Sequence, residues 1–224
     1  MTNTVFITGT GTGVGKTVLT VALTRHLRTQ GVRVLAVKPF CSGGRDDAHQ
    51  LAEAQHHEVT LDAINPWHFR AALTPLLAAR LERRIVERAE VVKWLKARQW
   101  ECDVLLIEGA GGLLSPLGEG FDAGDLIQEL HAEPVVVCPN ELGAIHQVRA
   151  TFSSLPDGSA LRALAVLRAT GNHDAAGRTN ADMLREFLGR DRVLEFPKLA
   201  LHASLPTSAV ASLEKIRLKM CSPQ

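Results

Sequence analysis

A glycine-rich segment, Thr8 to Thr17 with the sequence TGTGTGVGKT, constrains the fold of this chain more than any other feature. It lies between a short apolar run that predicts a β-strand and a longer run with helical periodicity. In this context glycines let backbone N–H groups surround an anion, and the following helix adds the positive end of its dipole. Lys16 can neutralise phosphate oxygens and the Thr17 hydroxyl can bind magnesium, so the segment predicts a nucleotide phosphate loop, or P-loop.

The spacing of this loop differs from the common P-loop pattern. That pattern places a glycine five residues before Gly15, where this chain has Thr10, and the glycine lies instead at Gly9. The predicted loop is therefore one residue longer than the common form. A plain glycine-rich turn would not need the Gly-Lys-Thr triplet, and a dinucleotide-binding loop would leave Lys16 and Thr17 without a role.

Short apolar runs and helical segments alternate along the chain, which predicts an α/β fold with a doubly wound, mostly parallel sheet and the P-loop after the first strand. The segment 58–100 predicts a helical insertion between strands two and three, and we expect one domain over residues 1–224. The apolar runs alternate little with polar residues, as strands covered on both faces do. The predicted strands are 4–8, 32–37, 104–107, 134–138, 164–167 and 193–196, and the predicted helices are 17–30, 46–57, 71–81, 85–99, 122–131, 142–154 and 177–189.

Composition and charge exclude several classes of protein. The 224 residues include 25 Lys plus Arg against 24 Asp plus Glu, without the basic excess of a dedicated nucleic-acid-binding protein. No apolar run reaches the roughly 18 residues of a membrane span, and the first residues lack the basic start of a secretory signal. The cysteines show no C-x-x-C spacing, which predicts reduced thiols at Cys41, Cys102, Cys138 and Cys221. We therefore expect a cytoplasmic protein with no nucleic-acid or membrane partner.

Charged residues follow the second and third predicted strands, where ligands of a doubly wound sheet bind. Lys38 can supply a second fixed positive charge for phosphoryl transfer, although a solvated lysine explains its position equally well. Asp47 and Glu108 can bind magnesium beside the P-loop, because magnesium takes a few oxygen ligands together with water and phosphate. Helix capping is the alternative role for Asp46 and Asp47, one of which is expected to cap the following helix. The glycines in Gly109 to Gly112 indicate that the backbone approaches a ligand closely.

Together these segments resemble one family, the dethiobiotin synthetases, which are ATP-dependent ligases of biotin synthesis in the P-loop NTPase superfamily. The resemblance covers the whole chain and implies a Mg²⁺-dependent reaction of 7,8-diaminononanoate with CO₂ and ATP. In that reaction a carbamate forms, is converted to a carbamic-phosphoric anhydride, and closes to dethiobiotin with release of ADP and phosphate. The resemblance rests on Gly9 to Thr17, on Val37-Lys38-Pro39 with Ser42-Gly43 and Asp47-Ala48, on Asn65-Pro66, and on Glu108 to Gly112.

The resemblance also implies roles for individual residues. Lys38 matches the active-site lysine, Lys16 would bridge the β- and γ-phosphates, and Thr12 and Ser42 would hydrogen-bond the carbamate or the diamine. The magnesium positions are matched by Thr17, Asp47 and Glu108. The nucleotide-binding positions are matched by Gly13, Val14, Gly15, Lys16, Thr17, Val18, Asp47, Glu108, Gly109, Ala110, Gly111, Pro197, Lys198 and Leu199.

The family resemblance further implies a homodimer whose substrate-tail site is shared across the interface, with residues 140–145 as the matching helix start. Free N–H groups at a helix start suit a carboxylate. Three positions depart from the family pattern. Arg168, with Asn172 four residues later, stands where the family uses an asparagine to read adenine, so the sequence does not define which base is preferred. Gly13 replaces a frequent acidic residue, and His146 replaces an asparagine of the partner helix.

The competing interpretation is a nucleotide-dependent dimeric switch ATPase of the partition or metal-insertion type. Such a switch normally carries a lysine early in the loop that acts across the dimer, and residues 9–15 contain none. The insertion type also needs metal-carrying motifs of Cys or His. A third interpretation, a homologue without activity, is disfavoured by the presence of Lys16, Thr17, Lys38, Asp47 and Glu108.

Overall fold

The structure of the protein is a computed structural model that describes residues 2–171, 175–201 and 203–220. Asn172 and Cys221 therefore lie outside the described residues. Strands and helices alternate as the sequence predicted. The elements are β1 (Asn3–Gly9), α1 (Lys16–Thr29), β2 (Val34–Val37), β3 (Phe40–Ser42), α2 (Asp46–Ala54), α3 (Leu61–Ile64), β4 (Trp67–Phe69), α4 (Pro75–Leu81), α5 (Arg88–Arg98), β5 (Val104–Glu108), α6 (Ala123–Glu129), β6 (Glu133–Asn140), α7 (Ala144–Ser153), α8 (Ser159–Arg162), β7 (Leu164–Ala169), α9 (Ala175–Leu188), β8 (Val193–Phe196) and α10 (Thr207–Met220), with short 3₁₀ helices at Gln99–Glu101 and Arg190–Arg192.

Six strands form one sheet in the order β2-β5-β1-β6-β7-β8, and every pairing between them is parallel. Helices cover both faces, because successive side chains of a strand point to opposite sides. Phe6 of β1 joins the buried cluster beneath α5, α6 and α7, whereas Val5 and Ile7 join the cluster beneath α1, α2 and α10. The predicted α/β fold with a doubly wound sheet is confirmed.

The segment between β2 and β5 contains the predicted helical insertion and also two strands that were not predicted. β3 and β4 pair in parallel as a separate two-stranded sheet, and Phe40 stacks on Trp67 with ring centroids 5.4 Å apart. Strands of three residues are too short to show the alternation from which strands are predicted. The insertion is therefore supported by a small sheet as well as by helices.

Two predicted helices in this region are shorter than expected, for local backbone reasons. The helix predicted at 71–81 begins only at Pro75, because the residue before a proline disfavours helical geometry; Thr74 has a ψ of 141°. The helix predicted at 46–57 ends at Ala54, since two histidines that follow it adopt left-handed conformations. The first correction leaves residues 71–74 in a loop before α4.

Three helices, α3, α8 and α10, were missed by the sequence analysis. The longest of them, α10, buries residues at spacings of four, three and four: Ala209, Leu213, Ile216 and Met220. These side chains belong to the same buried cluster as the apolar face of α1, the helix that follows the P-loop. This spacing is the ordinary signal of an amphipathic helix and could have predicted α10.

The described cysteines agree with the expected reduced state. Cys41, Cys102 and Cys138 are buried free thiols, and burial raises the pKa of each to about 11. Such thiols are poor nucleophiles, because the thiolate is the reactive form. Within the described part of the chain, no helix has both the length and the apolar composition needed to cross a bilayer.

The sheet order brings the candidate site together. β5 lies between β2 and β1, with Val37 paired to Ile107 and Ile7 paired to Glu108. Because all three strands run in the same direction, their carboxyl ends lie side by side at one edge. The P-loop, Lys38 and Glu108 are therefore neighbours, as the sequence predicted.

Candidate functional site

The P-loop joins β1 to α1 and is shaped by glycine conformation. Gly15 precedes α1 with a φ of 101°, in the left-handed region that favours glycine. A Cβ at Gly15 would also overlap the side chain of Arg168. The loop is tied to the neighbouring strand, since the backbone N–H of Thr10 donates to the carbonyl oxygen of Val137 over 3.0 Å. Glycine is therefore required at position 15 both by its backbone conformation and by its contact with Arg168.

Lys16 lies at the start of α1 with its side chain buried in the site. Its Nζ donates to the carbonyl oxygens of Gly11, over 2.8 Å, and Gly111, over 2.6 Å. Burial, and next the positive charge of Lys38, lower the pKa of Lys16 to about 8. The ammonium is thus held between the P-loop and the loop after β5, and its charge is sensitive to pH near neutrality.

Lys38, Glu108 and Asp47 form the ionic centre of the site. Lys38 Nζ lies 2.6 Å from Glu108 Oε1 and 2.7 Å from Asp47 Oδ2. Glu108 Oε1 also accepts a hydrogen bond of 2.7 Å from Thr17 Oγ1. Glu108 is fully buried, whereas 48% of the Asp47 side chain is exposed. The alternative of a solvated Lys38 is wrong, since only 7% of its side chain is exposed.

The charges at this centre stabilise one another. Burial by itself would lower the pKa of Lys38, but Glu108 and Asp47 outweigh it and raise that pKa above its usual value. Burial likewise opposes ionisation of Asp47, but Lys38 and a hydrogen bond from Thr17 hold its pKa below the usual range. Lys38 is therefore a permanent cation and Asp47 a permanent anion at neutral pH.

Two buried polar atoms at this centre make no hydrogen bond within the described residues: Glu108 Oε2 and Ser42 Oγ. Buried polar atoms are normally satisfied, so both are available to a ligand. Glu108, Asp47 and Thr17 offer only oxygen donors, which fits magnesium, an ion that takes one or two carboxylates together with phosphate and water. In the described ranges no group of three or more His, Cys, Asp or Glu side chains could hold a metal. A magnesium site here would therefore depend on two carboxylates and a hydroxyl.

A cleft of about 650 Å³ lies over these residues. Val14, Gly109 and the segment 197–199 do not line it. Lys198 lies instead beside Gly171, after β7. Most of the predicted site residues do line the cleft: Thr12, Gly13, Gly15, Lys16, Thr17, Val18, Lys38, Ser42, Asp47, Glu108, Ala110 and Gly111.

Sequence reasoning missed part of the wall of the cleft. Ser115 lines it and accepts a hydrogen bond of 2.9 Å from the backbone N–H of Gly112. Its Oγ occupies the space in which a Cβ at Gly111 would lie, and Gly111 has a φ of 71°. The lining also includes residues 72–75, which precede and begin α4 and lie within the helix predicted at 71–81. Ser115 could have been identified as a serine shortly after a glycine run. No sequence signal marked residues 72–75.

Arg168, at the end of β7, contacts the P-loop. Its Nε donates to the carbonyl oxygen of Val14 over 2.9 Å, and the side chain covers Gly15. Its Nη1 also donates to the carbonyl oxygen of Ala169 over 3.4 Å. The residue at the family's base-reading position is thus bonded to loop backbone in this chain.

The helix start predicted to receive a substrate tail lies at the carboxyl end of β6. Gly143, with a φ of 95°, precedes α7. Asn140 is fixed within its own chain, since it donates to the carbonyl oxygen of Gly177 and accepts from Asn180. Its role toward a substrate tail remains a prediction.

Several known proteins are similar to this chain in sequence. Residues 3–204 match the family described as AAA domain. The ATP-dependent dethiobiotin synthetase of Akkermansia muciniphila is 33% identical over 186 residues, covering 81% of this chain and 85% of that protein. That of Anaeromyxobacter dehalogenans strain 2CP-1 is 39% identical over 173 residues, covering 75% and 78%. That of Bacillus licheniformis is 33% identical over 200 residues, covering 87% and 85%.

Solved structures with a similar fold were also found. A Borrelia burgdorferi protein bound to AMPPNP superposes with a TM-score of 0.56 at 13% identity, covering 96% of both chains. The pNOB8 ParA protein bound to nonspecific DNA gives a TM-score of 0.55 at 14% identity, covering 99% of this chain and 94% of that one. At such identities the likeness concerns the fold alone.

Proposed function

Because the chain belongs to the family of ATP-dependent dethiobiotin synthetases, we propose that it carboxylates 7,8-diaminononanoate with CO₂ and closes the ureido ring of dethiobiotin. The observation that carries this proposal is the buried Lys38 ammonium, held within 2.6 Å of Glu108 and 2.7 Å of Asp47 beside the P-loop. A permanent positive charge beside the P-loop supports this proposal, because it would stabilise both a carbamate and a transferred phosphoryl group. The enzyme is a nucleotide-binding ligase of biotin synthesis.

The proposed reaction needs positioning and charge neutralisation rather than a covalent enzyme nucleophile. One substrate amine adds to CO₂ and loses a proton, giving a carbamate. A carbamate oxygen then attacks the γ-phosphorus of ATP, ADP leaves, and the second amine displaces phosphate from the carbonyl carbon. Lys38 stabilises the carbamate and its anhydride, and Lys16 stabilises the phosphates. Ser42, whose buried Oγ has no other partner among the described residues, and Thr12 hydrogen-bond the carbamate or the diamine.

Magnesium would be held in this site by Thr17, Asp47 and Glu108, and when bound it neutralises charge on the nucleotide phosphates. Residues 13–18 and 108–111 follow the nucleotide phosphates, and 197–199 lie on the base side of the nucleotide. We further propose that the enzyme acts in the cytoplasm as a homodimer in which residues 140–145 of one copy receive the substrate tail held by the other. The exposed turn before α7 supports this last assignment.

The function is tested by measuring phosphate release and dethiobiotin formation by the purified protein with ATP, magnesium, bicarbonate and 7,8-diaminononanoate. We expect phosphate release only when all four components are present, with one dethiobiotin formed per phosphate. A monoamine analogue of the substrate can form a carbamate but cannot close the ring, so it should give no cyclic product. Hydrolysis that is independent of the diamine and stimulated by another protein would overturn the proposal in favour of a switch ATPase.

The lowered pKa of Lys16 predicts a pH-dependent affinity for nucleotide. With ADP in the absence of magnesium, the affinity should fall as pH rises through about 8, because Lys16 loses its proton and its attraction for phosphate. In Lys38→Met the fall should move to higher pH, since the positive charge of Lys38 helps to lower the pKa of Lys16. Calorimetric titrations across this range measure both effects. An unshifted profile in the variant would show that the two lysines do not interact.

The contact of Arg168 with the P-loop predicts how replacement of Arg168 changes the KM for nucleotides. Arg168→Ala leaves the Val14 carbonyl without this donor, so we expect the KM for ATP to rise about 10-fold. Because the guanidinium bonds to backbone and not to a base, kcat/KM should fall by a similar factor for ATP, GTP and CTP. Steady-state assays with the three nucleotides measure this, with Arg190→Ala at an exposed site as the control. A loss confined to one nucleotide would show instead that Arg168 reads the base.

A further inference from the structure

The buried side chain of Asn65 has no role in the reaction described above. It lies between α3 and β4, is 1% exposed, and belongs to the Asn65-Pro66 motif. Its Nδ2 donates to the carbonyl oxygens of Lys38, over 2.8 Å, and Pro39, over 3.1 Å. The backbone N–H of Lys38 in turn donates to the carbonyl oxygen of Ile64 over 3.0 Å. The peptide unit that carries Lys38 is thus fastened to this segment on both sides.

Arg45 connects the same asparagine to the start of α2. Arg45 Nε donates to Asn65 Oδ1 over 3.0 Å, and its Nη2 donates to the carbonyl oxygen of Asn65 over 2.9 Å. The same Nη2 contacts the carbonyl oxygen of Leu61 and the carboxylate of Asp62. Arg45 immediately precedes α2, and Asp47 lies in the first turn of that helix. Asn65 therefore joins the end of β2 to the beginning of α2.

We propose that Asn65 and Arg45 are positioning residues that set the separation between the Lys38 ammonium and the Asp47 carboxylate. Lys38 follows the last residue of β2, and its peptide unit is held on one side by Ile64 and on the other by the side chain of Asn65. Arg45 fixes the start of the helix that carries Asp47. Because misplacement of a reacting group by about 1 Å can cost about 10²-fold in rate, this link matters for turnover and not only for stability. The proposal rests on the proposed function of Lys38.

The chain offers a matched control in Gln55. Gln55 is fully buried at the other end of α2; its Oε1 accepts from the backbone N–H of Ala36, and its Nε2 donates to the carbonyl oxygens of Ala36 and Leu51. It therefore joins the same helix to the same strand with a similar number of hydrogen bonds. None of its partners lines the cleft. Loss of Gln55 should cost stability in the same way without moving Lys38.

The experiment compares Asn65→Ala with Gln55→Ala by thermal unfolding, nucleotide affinity and diamine-dependent phosphate release. We expect both variants to lose a similar amount of Tm. In both, nucleotide affinity should stay within about threefold of that of the unsubstituted protein. The value of kcat should fall by about 10²-fold only in Asn65→Ala. Equal values of kcat in the two variants would overturn the proposal. If Asn65→Ala does not fold, Arg45→Gln takes its place. Its control is Arg28→Gln, because Arg28 also pairs with a carboxylate, that of Glu58.

A second measurement needs no catalytic activity and separates this proposal from the proposed function. Lys38 is 5% exposed, so acetylation of its amine by acetic anhydride, followed by peptide mass spectrometry, should be slow in the unsubstituted protein. We expect about 10-fold faster labelling of Lys38 in Asn65→Ala, because the lost hydrogen bonds make local opening easier, and no change in Gln55→Ala. Unchanged labelling in Asn65→Ala would overturn the positioning role. Absence of diamine-dependent turnover in the unsubstituted protein would instead overturn the proposed function alone.

Discussion

Lys38→Met is expected to lower kcat for diamine-dependent phosphate release by about 10³-fold, since one positioned charge on a developing anion contributes that order of rate. Methionine keeps the apolar length of the side chain but removes the ammonium that lies between Glu108 and Asp47. Nucleotide affinity at neutral pH should remain close to that of the unsubstituted protein, because Lys16 and the P-loop backbone are unchanged. Phosphate release and calorimetric binding measure the two quantities.

The same substitution has a separable effect on stability. Lys38→Met leaves the buried Glu108 carboxylate without its cation, which should cost about 3 kcal/mol in the free energy of unfolding. The double variant Lys38→Met/Glu108→Gln should recover most of this stability without recovering turnover. Lys96→Met, at an exposed position of α5, is the control. Loss of nucleotide binding without loss of kcat in Lys38→Met would show that this lysine serves the nucleotide and not the carbamate.

Glu108→Gln is expected to raise the magnesium concentration for half-maximal activity and to lower the rate at limiting magnesium by about 10²-fold. The reason is that the proposed magnesium site has only two carboxylates and this substitution removes the charge of one. The amide has the same shape, and its oxygen can still accept from Thr17 and Lys38. Saturating magnesium should therefore restore part of the rate. Magnesium titrations of phosphate release measure the effect.

Two comparisons make the Glu108 result interpretable. Glu186→Gln, on an exposed part of α9, removes a carboxylate of the same kind far from the cleft and should change nothing. Asp47→Asn should raise the magnesium requirement less, because Asp47 is half exposed and water can replace its oxygen. If Glu108→Gln lowered kcat at every magnesium concentration by the same factor, Glu108 would act on Lys38 and not on the metal.

The fold was predictable wherever a signal is local. The strand, glycine loop and helix around Gly9 to Thr17 follow from residue types at short spacing, and the structure confirms them. β3 and β4 were not predictable, since three residues carry no periodicity and their pairing joins Phe40 to Trp67 across a long insertion. The helix α10 was predictable, because its buried residues recur at helical spacing.

The candidate site was predictable in its residue types but not in its contacts. Strand ends supplied Lys38 and Glu108, yet their 2.6 Å contact depends on β5 lying between β2 and β1, which no local pattern encodes. The orientation of Arg168 over Gly15 likewise results from the pairing of distant strands. Asn65 was identified within a motif, but its hydrogen bonds to the Lys38 backbone required the three-dimensional structure.

The position of Glu108 at the end of β5 also has a consequence for folding. The hydrogen bonds that it accepts from Lys38 and Thr17 close chain segments of 70 and 91 residues. Contacts of such long sequence separation form slowly, because the entropy of closing the intervening chain is lost before they contribute. The full set of phosphate-facing groups therefore exists only after β1, β2 and β5 have all paired. Nucleotide binding thus selects fully assembled molecules and stabilises them by mass action over any species in which β5 has not yet docked.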